Sequence, residues 1–360
     1  MKFKSQINQS IILKRNILDN TIFILISMGM LLYLFSITSA MNPDLECCDH
    51  LFYRAQSISW FDLNELNFLQ IPENNRLNDV YDFYYYDRIN TLTNQPPYVY
   101  RVIIPSIAGV MGKVLGINIS FYIINAISLF LILYLSMLIT YKLTKSSIFS
   151  LLSPFVLFMI PEFFDFYIYD YMLVDLPAIA LFFGVVTLII FNKLKFAFWV
   201  SALIAPLVKE TLLPLSLVVI VFMIFKKVKW RPYIIFCLIP FFAQAMLRVL
   251  FQVKDEPQIS EIYQFSSAFT SLISLFDSFG WILFLLLFSY SKKNQKLLIS
   301  LIPQFIFILI ITSSTVADGK RIWWTIAPVF ILAYSNLVVI VKNLVKSYWP
   351  NMKLRFRTKV

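Results

Sequence analysis

The chain is expected to be all-α: a polytopic transmembrane helical bundle of about ten spans with a large outer loop after the first. Three observations carry that expectation. Hydrophobic residues make up 59% of the 360 and charged residues only 14%, against roughly 45–50% and about 25% in soluble domains. Apolar runs of span length recur along the whole chain. The charges between those runs sort by sign, as the positive-inside rule requires.

The first run, 20–40, follows Lys2, Lys4, Lys14 and Arg15 and would reach about 30 Å as a helix, enough to cross the hydrocarbon core. Thr38-Ser39-Ala40 faintly resembles a signal-peptidase site. The run exceeds the roughly 7–15 residues of a signal h-region, so retention as an anchor is expected.

Further runs lie at 118–141, 146–161, 172–191, 196–208, 211–225, 232–252, 271–290, 297–314 and 322–341. With the N-terminus placed inside, the short basic connections and the tail from Lys342 to Lys359 all fall inside. That side then holds 21 of the 31 Lys and Arg, and only Asp19 of the 20 acidic residues. The net charge of +11 thus follows from topology and implies no nucleic-acid partner.

Two runs, 196–208 and 211–225, are short and meet at Lys209-Glu210. They read as a broken hairpin whose charged tip lies within the protein, since charge and irregular backbone at depth must face protein or a wet cavity. The stretch Val102–Gly116, weakened by Pro105, Gly109, Gly112 and Lys113, reads as an interfacial or partly inserted helix. Without repeats or Gly/Ser linkers, residues 1–360 form one membrane domain.

The outer loop, 41–101, holds nine acidic residues and four arginines among many aromatics. Its middle, Leu51 to Leu69, has the rough helical period of a surface-lying helix. Asp44, Glu46 and Asp49, beside His50, follow the first span. The membrane edge desolvates a carboxylate and fits it for general-base work, the alternative being ordinary solvated loop charge.

Three more outer clusters follow. Asp170 and Asp175 open the helix after Pro161, where a carboxylate also favours the helix dipole. Lys209 and Glu210 sit in the apolar hairpin, as functional charge or as a self-satisfied ion pair. Asp318, Lys320 and Arg321 precede Trp323 and Trp324, which are expected at headgroup level as in an interfacial anchor. Carboxylates and cations converging on one side suit an anionic lipid headgroup: the cations hold a phosphate and a carboxylate activates a hydroxyl.

Cys47, Cys48 and Cys237 are too few for a disulfide framework, and adjacent cysteines are awkward ligands for one metal ion. His50, beside Asp49, invites a dyad or a metal site, against which stands that adjacent residues seldom point at one another.

At these clusters the sequence resembles the GT-C superfamily of polytopic glycosyltransferases, particularly small bacterial members with an Asp-Gly-Gln-Phe-Tyr-like motif after the first helix. The corresponding stretch is Asp49-His50-Leu51-Phe52-Tyr53. Tyr98-Val99-Tyr100-Arg101-Val102-Ile103-Ile104-Pro105 is similar to the Tyr-Arg-Tyr-Arg-Ile-Leu-Pro-like end of their outer loop. Asp175-Leu176-Pro177-Ala178 and Pro206-Leu207-Val208-Lys209-Glu210-Thr211 look like later motifs.

The resemblance implies sugar transfer from a polyprenyl-phosphate donor to a glycan, lipid or protein acceptor on the outer face of a bacterial inner membrane, with both termini cytoplasmic. Carried over, Asp49 is the base, with Asp44 or Glu46 in reserve. Arg101, Lys209, Arg321 and Lys320 hold the donor phosphate, and Asp175, Glu210, Asp318 and Asp170 orient cations or sugar hydroxyls. No cofactor is required; some relatives use a divalent metal, so Mg or Mn stays open. The alternatives are a polysaccharide polymerase, a transporter or flippase of lipid-linked saccharide, and a noncatalytic glycan-assembly protein. The last is motivated by His50 and Leu51, which replace the small and amide residues of the motif.

Overall fold

The computed structural model of the chain describes residues 19–34, 36, 57, 101–164, 173–250, 268–288, 295–314 and 319–357. Every regular element among them is helical, and none is a strand. The expectation of an all-α chain is met.

Helix α1 is Asp19–Leu34. Next come α2, Ile103–Leu115, α3, Ile117–Thr144, and α4, Ser147–Phe158. Helix α5 is Asp175–Ile190. Helix α6, Leu194–Val208, contains a π-helical stretch at Val200–Ile204. It is followed by the 3₁₀ turn Glu210–Leu212 and α7, Leu215–Phe225. The remaining α-helices are α8, Ile239–Leu250, α9, Ala268–Phe279, α10, Gln295–Ser300, α11, Ile302–Ser314, α12, Gly319–Trp324, and α13, Ala327–Arg357.

Among the described residues, two helical segments, Ile117–Thr144 and Trp324–Ser347, are long and apolar enough to cross a membrane, and the other apolar helices have 10–17 residues. Helix α3 is the central post, contacting α2, α4, α5 and α13. Gly116 makes the tight corner between α2 and α3. Its φ of 81° is open to glycine but costly for other residues, and its N–H caps Gly112 O.

The interior carries small polar groups where helices approach closely. Ser120, Ser136, Thr140 and Ser335 have no exposed surface, and Ser335 Oγ donates to Thr140 Oγ1 at 3.1 Å, tying α13 to α3. Most other buried hydroxyls bond the carbonyl three or four residues back, as Thr187 Oγ1 does to Phe183 O at 2.8 Å. The exterior, by contrast, shows Val114 at 84%, Trp281 at 83% and Leu287 at 74% exposure.

Trp323 and Trp324 correct an expectation. Both are buried, at 0% and 1% exposure, rather than sitting at a rim. Trp324 Nε1 donates to Ser278 O at 3.1 Å, and the Trp323 ring lies 5.5 Å from that of Phe305. A satisfied indole N–H lets the ring count as core. Within 102–116 the helix Ile103–Leu115 packs against α3, burying Ile104, Ala108, Gly109 and Gly112. The surface helix expected at Leu51 to Leu69 lies outside the described residues except Ser57, whose Oγ donates to Pro105 O at 2.9 Å.

Candidate functional site

The site begins with a break in the chain. Helix α6 stops at Val208, and Lys209 is extended, with φ −157° and ψ 138°. A 3₁₀ turn and Pro214 then lead into α7. Charged neighbours explain the interruption: a continuous apolar helix would give Lys209 and Glu210 no partners at this depth.

The break lies well inside the bundle. Helix α5, with 16 residues, and α6 each extend only about 22–24 Å at 1.5 Å per residue, while the 28-residue α3 extends about 42 Å. Helices α5 and α6 join near 190–194 and pack against each other along their length, which brings their far ends, Asp175 and Val208, together.

Four of the expected residues come together there as two ion pairs. Lys209 Nζ bonds Asp175 Oδ1, with only 3% and 1% of those residues exposed. Arg101, at 7% exposure, grips Glu210 with two bonds, Nε to Oε2 at 2.9 Å and Nη2 to Oε1. The adjacent Lys209 and Glu210 therefore do not satisfy each other. Each takes its hydrogen-bonded partner from elsewhere in the chain. Asp175 is both the first residue of α5 and the partner of a cation.

Desolvating each charge is expensive, and only close geometry offsets the cost, so the pairs hold four side chains in set positions. The Arg101–Glu210 fork also defines a plane, which a lysine would not.

Two of the carbonyls freed by the break are claimed too. Gln244 Nε2, from α8, donates to Pro206 O at 2.6 Å. Gln304 Nε2, from α11, donates to Thr211 O at 2.6 Å. Neither glutamine stands among the residues expected from the sequence. Their signal was present, since each is a lone amide in an otherwise apolar helical run, Phe241-Phe242-Ala243-Gln244 and Leu301-Ile302-Pro303-Gln304.

Lys320 and Arg321 lie on α12, which packs against α9 and α11, the helix that carries Gln304. Asp44, Glu46, Asp49, Asp170 and Asp318 lie outside the described residues. Among the described residues no three His, Cys, Asp or Glu gather as a metal-binding group. Cys237 is a buried free thiol.

No family model matches this chain, and neither a curated protein nor a solved structure does.

Proposed function

We propose that the protein is a multi-pass membrane glycosyltransferase of the GT-C kind. It moves a sugar from a polyprenyl-phosphate donor to a glycan, lipid or protein acceptor at the outer face of a bacterial inner membrane. The observation that supports this reading best is the convergence of Arg101 and Lys209 at the chain break, each oriented by a carboxylate from another element. Two cations at one level, in a body with an apolar exterior, are what a phosphate on a lipid tail requires.

In this reading Arg101 and Lys209 hold the donor phosphate, Glu210 and Asp175 set the direction of the two cationic heads, and Lys320 and Arg321 add positive charge from α12. Asp49 takes the proton of the acceptor hydroxyl, with Asp44 or Glu46 in reserve. Asp170 and Asp318 orient sugar hydroxyls. Stabilising charge on the departing phosphate is the chief electrostatic service such a site renders. The span number, near ten, belongs to the same proposal.

A second reading is favoured by the break itself, because interrupted helices with charged groups at depth also build transporter sites. It would make the protein a carrier of lipid-linked saccharide.

Reconstitution with radiolabelled polyprenyl-phosphate sugars separates the two. The enzyme transfers label to an acceptor, and Asp49→Asn lowers that rate by about 10²–10⁴-fold while leaving donor binding intact. Movement of intact donor between leaflets, with no transfer over a broad acceptor panel, would favour the carrier. Transfer that is fully active in Asp49→Asn would keep the class and reject the base.

A further inference from the structure

We infer that Gln244 and Gln304 are positioning residues whose side-chain amides stand in for two of the backbone N–H groups that the break removes, and so set the aim of both ion pairs. In an uninterrupted helix Pro206 O would accept from the N–H of residue 210, and Thr211 O from that of residue 215. Here Lys209 is extended, the turn that follows bonds Leu212 N to Lys209 O and Leu213 N to Glu210 O, and α7 begins only at Leu215. Away from water, a carbonyl without a donor is costly.

The two glutamines supply those donors from opposite flanks. Gln244 takes the carbonyl three residues before Lys209, and Gln304 the carbonyl two residues after it, each at 2.6 Å. Both side chains are buried, at 2% and 1% exposure. Gln304 Oε1 has no hydrogen-bond partner, so within this structure the residue serves as a donor and not as an acceptor. Between the two clamps lie Lys209 and Glu210, whose partners come from α5 and from the residue two before α2. Either clamp, once lost, lets the intervening segment rewind toward helix, which turns Glu210 away from Arg101.

This inference concerns geometry and stands apart from the catalytic reading, so its test reads geometry. In full-length protein in detergent with ¹⁵N-arginine, the Arg101 Nε–H resonance reports its bond to Glu210, and Arg101→Lys assigns it. Gln244→Met and Gln304→Met, which keep bulk and remove the donor, should each displace or erase that resonance. Gln304→Asn should restore part of it, and Gln295→Met should leave it in place. An Arg101 resonance unchanged in both methionine variants would overturn the proposal.

A second measurement needs no variant to fold. In the wild type the side-chain amide protons of Gln244 and Gln304 should exchange with water at least roughly 100-fold more slowly than those of Gln295. Equal rates would overturn the clamp at whichever glutamine shows them.

Discussion

The two ends of the helices around α3 use the same residue types in different ways. At the break, cations meet carboxylates, Lys209 with Asp175 and Arg101 with Glu210. At the opposite end, lysines serve the ends of helices. Lys342 Nζ donates to Thr144 O, the last carbonyl of α3, at 3.1 Å, and Lys296 Nζ to Phe225 O, the last of α7, at 3.2 Å. Lys142 and Lys342 also lie over the rings of Phe191 and Phe149. Asp19, the acid at this end, is buried yet accepts its bond from Ser147 Oγ at 2.9 Å and not from a lysine.

Burial of the lysine separates the two arrangements: Lys209 is 3% exposed, whereas Lys296 and Lys342 keep access to water. A lysine with access to water gains modestly from a helix C-terminus and loses little when released. A lysine without such access persists only where an anion has been brought to it from another part of the chain. The charged groups at the break are therefore a set, whereas those at the opposite end act one by one.

The sharpest test of that contrast is Lys209→Ala, which leaves Asp175 buried and unpaired and should cost about 3–5 kcal/mol in unfolding experiments in detergent. The double variant Lys209→Met/Asp175→Leu should recover most of the loss. A single variant that is as stable as the wild type would erase the distinction between the two ends.

Arg101→Lys probes the other pair more gently. It keeps the charge but ends the two-point grip on Glu210, for an expected loss of roughly 1.5–3 kcal/mol by the same measurement. Equal stability would mean that charge alone, and not the fork, matters there. Lys342→Ala and Lys296→Ala should each cost only about 0.3–1 kcal/mol, and raising the salt concentration should shrink the difference. Asp19→Asn, which keeps an acceptor for Ser147 Oγ, should alter stability by less than about 1 kcal/mol. A larger loss there would show that the Asp19 charge, too, is held by depth.

Much of the fold was legible because helices in an apolar chain announce themselves locally. The runs at 118–141, 146–161 and 172–191 became Ile117–Thr144, Ser147–Phe158 and Asp175–Ile190. The break was legible at Lys209-Glu210 for the same reason, since two charges amid apolar residues have no local remedy. Trp323 and Trp324 were misplaced because an amphipathic ring suits either a rim or a core. The choice fell to Ser278, 46 residues away, whose carbonyl takes the Trp324 N–H.

That the chain is helical, where its helices run, and that charge would interrupt one of them are local properties, each depending on residues within a few turns of one another. That Lys209 answers Asp175, that Glu210 answers Arg101, and that Gln244 and Gln304 hold the backbone between them are not local. Those partners lie 34 to 109 residues apart. What brings them together is helix packing, which aligns the ends of short helices along a longer one and leaves each buried charge and carbonyl to be met by whatever the neighbouring helix presents.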